Sequence, residues 1–257
     1  MCLSLGKKCS QPFVLHSAIS KEVIEWYRGL GLDLLEGYGM IENFAYSHVN
    51  KPGHVKPGYV GTPYPDVDHR ISPEGEILVK SPGDMMGYYK NPEKTKESFT
   101  DDGFFKTGDL GEIDVTGRLK ITGRAKELFK TSRGEYIAPA LIENLVANHP
   151  RVEACMVTGA GYPQPYCLVM LSEDAQYEIK NNGKQSVFNE LTKHLKYVNN
   201  ALLDFEQLAF FAVTMDEWMA ENGFLTPTMK IIRSKLEREY GSLADHWYKS
   251  NEPIVWQ

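Results

Sequence analysis

The sequence predicts an α/β segment followed by a small α+β domain, divided into residues 1–124 and 125–257. Three observations carry this. Residues 11–42 run strand, helix, strand and Gly-rich turn, the rhythm of an α/β sheet that presents polar groups at a strand's carboxyl end. Residues 75–124 are rich in strand-like runs. After Lys126 the composition changes, and helical and strand patterns alternate over about 130 residues, a usual domain size.

The elements follow in order. QPFVLHS at 11–17 suits a buried strand. Ser20 is placed to N-cap a helix from 21 to about 30, with Val23, Ile24, Tyr27 and Leu30 at helical spacing. Gly29 and Gly31 end it. Residues 32–36 read as a second strand, running into Gly37-Tyr38-Gly39-Met40-Ile41-Glu42. Residues 43–66, rich in Pro, Gly and His, read as loop, and His48, His54 and His69 as loop residues rather than ligands. GEILVK at 75–80 is a strand after a Pro-Glu-Gly turn. The aromatics of SPGDMMGYYKNPEKTKESF are read as packing residues without chemistry. Val115-Thr116-Gly117-Arg118 separates 110–113 from 119–122 as a hairpin turn would.

Beyond Lys126, residues 127–130 read as a short strand and TSRGEY at 131–136 as a polar loop. Pro139 suits the first position of a helix to about His149, burying Leu141, Ile142, Leu145 and Val146. Residues 152–158, 167–171 and 208–214 are strands. Residues 187–197 form an amphipathic helix whose Lys and His residues face solvent. Thr226-Pro227-Thr228 breaks local structure just before Lys230, which puts that ammonium on a mobile loop leading into a helix over 231–240.

Composition narrows the function. With 42% hydrophobic and 24% charged residues the chain is an ordinary globular one. A formal net charge of -6 speaks against nucleic acid as the main partner, because phosphate backbones call for clustered Lys and Arg. No apolar run approaches the roughly 20 residues that span a bilayer, and the N-terminus has no secretory h-region. Cys2, Cys9, Cys155 and Cys167 show no CxxC spacing, and the seven histidines form no metal motif. A cytoplasmic setting is the expectation, with peripheral contact at the inner face of a membrane left open.

Chemistry concentrates in residues 107–139, TGDLGEIDVTGRLKITGRAKELFKTSRGEYIAP. A short carboxylate at a strand end suits the two adjacent hydroxyls of a ribose, since an ionised Asp accepts from both. Gly108 and Gly123 each precede a charged residue, where a missing side chain allows close approach.

The order of this stretch resembles the adenylate-forming superfamily of acyl-CoA synthetases, nonribosomal adenylation domains and luciferases. The resemblance implies that Asp109 and Arg124 bind the ribose and that Lys126 is the hinge between two domains. GYGMIE resembles the aromatic-Gly-x-Thr-Glu motif, which lays Tyr38 along the adenine and gives Glu42 the Mg²⁺. Ile41 departs from it, standing where a Thr hydroxyl would face the α-phosphate. LTPTMK and KTSRGEYIAPALIE look most like the long-chain fatty acyl-CoA synthetases, which makes Lys230 the group that reaches the acyl-adenylate. Ser132, Arg133 and Gly134 then form the CoA-side loop, with Arg133 where the subgroup often has a second Gly.

The expected activity is an ATP-dependent ligation of a long-chain fatty acid to CoA, with ATP, Mg²⁺ and CoA as ligands and AMP and pyrophosphate released. The family's Ser/Thr- and Gly-rich phosphate loop has no counterpart here. The chain therefore reads as the C-terminal part of a longer synthetase, inactive alone and missing the N-terminal part of the large domain. Two other readings stay open: an adenylating enzyme that loads a carrier protein, and a non-catalytic nucleotide-binding module.

Overall fold

The computed structural model describes residues 13–15 and 21–257. The proposed Ser20 cap, Cys2 and Cys9 lie outside the described residues. The chain divides into two compact units, Met1–Lys126 and Glu127–Gln257.

The first unit begins with β1 (Phe13–Leu15), α1 (Lys21–Gly29) and β2 (Leu35–Tyr38), and β1 pairs parallel to β2. Of the helical stripe read from the sequence, Ile24 is fully buried, whereas Val23 and Leu30 are exposed. Strand β2 starts later than the pattern suggested and takes in Gly37 and Tyr38; all four of its residues are buried. The stretch read as loop contains two further strands. β3 (His48–Val49) pairs antiparallel with β2, and β4 (Thr62–Pro63) pairs with β3.

A second sheet is an antiparallel meander of β5 (Asp68–Ile71), β6 (Glu76–Lys80), β7 (Phe105–Ile113) and β8 (Leu119–Arg124). Between β6 and β7 runs α2 (Pro92–Glu97), started by Asn91, whose side chain accepts from the Lys94 N–H. Asp114 makes the β7–β8 turn by accepting from the backbone N–H groups of Thr116 and Arg118. This hairpin is the one the sequence announced.

His48 and His69 are strand residues rather than loop residues. His48 is fully buried, its Nδ1 lies 2.8 Å from Ser47 Oγ, and its Nε2 lies 2.6 Å from His69 Nδ1. Burial, then the facing His69, lowers the His48 pKa to about 3. At least one ring of the pair must be neutral, because one must accept what the other donates.

The second unit opens with a hairpin of β9 (Phe129–Lys130) and β10 (Tyr136–Ile137), then α3 (Pro139–Ala147) with Pro139 in its first turn. β11 (Val152–Thr158) and β12 (Tyr166–Leu171) pair antiparallel. Helices α4 (Glu173–Asn182) and α5 (Gln185–Asn200) follow, then β13 (Phe211–Thr214), α6 (Arg233–Tyr240), α7 (Ala244–Ser250) and β14 (Ile254–Trp256). β13 lies parallel to β12, and β14 parallel to β13.

This sheet is covered on both faces, and the period of two along β11 and β12 sorts the residues. Cys155, Val157, Cys167 and Val169 pack with Ile142 and Val146 of α3 and Leu191 and Leu195 of α5. Met156, Leu168 and Met170 pack with Leu236 and Tyr240 of α6 and Trp247 of α7. Both cysteines are free thiols in these layers. The reading of α5 needs one correction. Its lysines face solvent, but His194 is buried, and its Nε2 donates to the Val146 carbonyl at 2.9 Å. A helix C-terminus leaves carbonyls without helical partners, and His194 serves one of them.

Candidate nucleotide-binding site

Strands β2, β7 and β8 bring the first set of candidate residues together. Asp109 pairs in register with Arg124, and β8 carries a bulge just before this pair. Arg124 Nε donates to Asp109 Oδ1 at 2.9 Å, and the Tyr38 hydroxyl donates to Oδ2 at 2.8 Å. The Asp109 side chain is only 10% exposed, whereas that of Arg124 is 62% exposed. Each carboxylate oxygen can accept a second hydrogen bond, so acceptor capacity for a diol remains.

The Tyr38 ring lies in the core of the first unit, tilted against His48. Burial, then the neighbouring Asp109 charge, pushes its phenol pKa well above the ordinary value, so it is a fixed donor. Its first visible role is to hold Asp109.

The TGD turn is pinned on both sides. Thr107 Oγ1 donates to the Ile77 carbonyl at 2.8 Å and accepts from Asp109 N at 3.1 Å. Gly108 N donates to Glu76 Oε1 at 2.8 Å. Gly108 is needed for its φ of 73°, not for close approach, since an added Cβ would meet nothing within 4 Å. Glu76 sits in an ordinary strand pattern, and no sequence signal marked it.

Glu42 lies in a short 3-10 turn, Ile41–Asn43, followed by Phe44 and Ala45 at φ 57° and 55°. Two successive left-handed non-Gly residues are costly, a strain that marks functional sites. Gly39 permits this fold-back: a Cβ there would lie 2.5 Å from Ala45 Cα. Tyr88, read as mere packing, donates its hydroxyl to Glu42 Oε1 at 3.0 Å. Ile41 is 94% exposed and offers no hydroxyl. No group of three or more acidic, His or Cys side chains that could hold a metal occurs among the described residues. A single carboxylate such as Glu42 fits Mg²⁺, which keeps waters and draws its other ligands from phosphates.

The remaining candidates belong to the unit boundary and to the second unit. Lys126 sits in a 3-10 turn, Ala125–Glu127, where the two units divide. Ser132, Arg133 and Gly134 are exposed at the tip of the β9–β10 hairpin. Ser132 N donates to the Tyr162 carbonyl and Gly134 N to the Thr131 carbonyl. Lys230 is exposed, in a loop held in shape by its own hydrogen bonds. Thr226 N donates to the Lys230 carbonyl at 2.8 Å, Lys230 N donates to Thr226 Oγ1 at 3.1 Å, and Leu225 bridges Ile231.

Residues 127–252 match the family described as the AMP-binding enzyme C-terminal domain. The long-chain-fatty-acid–CoA ligase FadD15 of Mycobacterium bovis is 32% identical over 252 residues, covering 93% of this chain. The chain belongs to the adenylate-forming, AMP-binding family. Long-chain-fatty-acid–CoA ligase 1 of Cavia porcellus is another similar member, 33% identical over 275 residues and 96% of this chain. The chain spans 42% and 39% of the lengths of these two curated relatives. Among solved members, the A domain of carboxylic acid reductase from Segniliparus rugosus, in complex with AMP and a co-purified carboxylic acid, is similar. It has a TM-score of 0.74 at 25% identity, over 93% of this chain and 39% of that one. The named ligases are acid–thiol ligases, and the mixed α/β architecture is that of adenylate-forming domains. No helix among the described residues is long and apolar enough to cross a membrane.

Proposed function

We propose that this adenylate-forming chain serves ATP-dependent ligation of a long-chain fatty acid to CoA in the intact protein. The observation that carries the reading is the Asp109 carboxylate, fixed between Tyr38 and Arg124 with acceptor capacity to spare. Such a group takes the two hydroxyls of the AMP ribose, and Arg124 adds a donor beside it. Tyr38, which the family motif lays along the adenine, contributes here by holding Asp109.

In the first half-reaction the fatty carboxylate attacks the α-phosphate, and pyrophosphate leaves. Lys230 neutralises charge between the carboxylate and phosphate oxygens, a preorganised contribution. Glu42 would hold Mg²⁺, which supplies charge neutralisation at the phosphates when bound. In the second half-reaction the CoA thiol attacks the acyl carbon and AMP leaves. Lys126 is the pivot between the two steps, and Ser132, Arg133 and Gly134 serve the CoA side. Ile41, lacking a hydroxyl, lowers phosphate affinity relative to a Thr.

Residues 1–257 contain no Ser/Thr- and Gly-rich phosphate loop, so this chain produced alone should not adenylate a fatty acid. A carrier protein as thiol acceptor is the second reading, kept because the carboxylic acid reductase neighbour is not named a CoA ligase. The test is fatty-acid-dependent ATP–pyrophosphate exchange by the intact protein, followed by addition of CoA or a carrier protein. Exchange and acyl-CoA support the proposal; AMP binding with no exchange overturns it.

A further inference from the structure

Arg233 opens α6, three residues beyond Lys230, and its guanidinium is held from several sides. Nη2 meets both carboxylate oxygens of Glu143 on α3, at 2.8 and 2.6 Å. Nη1 donates to the Val157 carbonyl of β11 at 3.3 Å. Glu127, which directly follows Lys126, lies 3.7 Å from Nη2. Glu143 is fixed in turn, accepting from Val157 N at 2.7 Å. The two side chains are 26% and 17% exposed.

The other end of the Lys230 loop converges on the same helix start. Ile232 N donates to the Phe224 carbonyl at 2.8 Å, and the Phe224 ring stacks on Tyr240. Docking of α6 as a whole does not require Arg233, because Leu236 and Tyr240 are fully buried. A partly buried ion pair is a weak source of stability in any case. What the guanidinium adds is direction, since Nη2 takes the Glu143 carboxylate while Nη1 takes the Val157 carbonyl, and a planar group meets both in one orientation.

We infer that Arg233, clamped by Glu143, is a positioning residue that sets where Lys230 stands and ties this anchor to Glu127, beside the Lys126 pivot. The inference rests on the proposed role of Lys230 in adenylation. The loop's own hydrogen bonds keep its shape, while the Arg233–Glu143 pair fixes its base against α3 and β11. Its loss lets the loop keep its turn but wander, and a misplaced ammonium acts on the first half-reaction alone.

The test uses the intact protein with Arg233→Met, which keeps the stem and removes the fork, beside Arg233→Lys and Glu143→Gln. In Arg233→Met, amide exchange at Thr226, Lys230 and Ile232 should rise about tenfold, and the melting temperature, lowered by the Glu143 carboxylate left unpaired, should recover in the double variant with Glu143→Gln. Acyl-adenylate formation should fall about 10- to 100-fold in kcat, with the KM for ATP little changed. Conversion of supplied acyl-adenylate to acyl-CoA should stay normal. Arg233→Lys should recover only part of the loss, and combining Arg233→Met with Glu143→Gln should add little. Unchanged exchange and adenylation overturn the inference, as does a parallel fall of both half-reactions with the melting temperature. Lys230→Ala tells the two levels apart. If it leaves adenylation intact, the underlying reading fails; if it cripples adenylation while Arg233→Met is indifferent, the anchor alone fails.

Discussion

Asp109 and Arg124 face one another across β7 and β8 as a registered pair, joined by a 2.9 Å hydrogen bond. The ion pair is worth little as stability, because Arg124 stands largely in solvent. Its consequence is orientation, and Tyr38 completes it from the opposite oxygen.

Tyr38→Phe removes the buried donor without changing the packing of the ring. AMP affinity of the intact protein should fall about 2- to 10-fold, a fraction of the about 1.5–3 kcal/mol that a hydrogen bond to a charged group is worth, because the carboxylate keeps Arg124. Asp109→Ala should cost more, about 10- to 100-fold, since the diol loses a charged acceptor. Calorimetric titration with AMP checks the ranking. Equal affinities in wild type and Asp109→Ala would remove Asp109 from the site.

The His48–His69 contact sets an acid limit on the first unit. His48 is held neutral by burial, with a folded pKa of about 3 against an ordinary 6.5. The unfolded chain therefore binds more protons between those values, and stability must fall as pH drops through that window. The slope for one group is about 1.4 kcal/mol per pH unit at most. Denaturant unfolding between pH 7 and pH 4 should show it, and a His48→Gln variant should flatten the dependence. An unaltered slope in that variant would place the titration elsewhere.

Lys126→Pro fixes φ and deletes a backbone donor in the turn Ala125–Glu127. If Lys126 is the pivot, the thioester step of the intact protein should slow by roughly tenfold, about 1.4 kcal/mol on its barrier. Adenylation should slow less. Equal loss of both steps in separate assays would count against the pivot.

Much of the architecture was legible in local pattern. The β7–β8 hairpin was announced by its turn, α3 by Pro139 and an apolar stripe in which Ile142 and Val146 are buried but Leu141 is exposed, and β11 by an apolar run. Other parts were hidden for physical reasons. Val23 and Leu30 kept helical spacing yet lie exposed, because spacing reports one face without saying what covers it. His194 looked like a solvent residue, and only the packing of α5 on α3 supplies its carbonyl partner. Asp109 and Arg124 were singled out by the order of the motifs, and the structure joins their side chains. Glu76, Tyr88, Glu143 and Arg233 were not singled out, since their roles come from partners 32, 46 and 90 residues away. Long-range pairs of this kind leave no local periodicity.

The central claim, that an adenylate forms before the thioester and needs Lys230, is tested most directly by splitting the two half-reactions in Lys230→Ala. The ammonium makes no side-chain hydrogen bond or ion pair among the described residues, so its removal should leave the fold intact. Removing one preorganised charge typically costs about 10²–10³ in rate, or roughly 3–4 kcal/mol. The intact variant should therefore form acyl-adenylate from ATP and a long-chain fatty acid about 10²- to 10³-fold more slowly. It should still convert supplied acyl-adenylate to acyl-CoA at a nearly normal rate. Unimpaired adenylation in this variant would contradict the account.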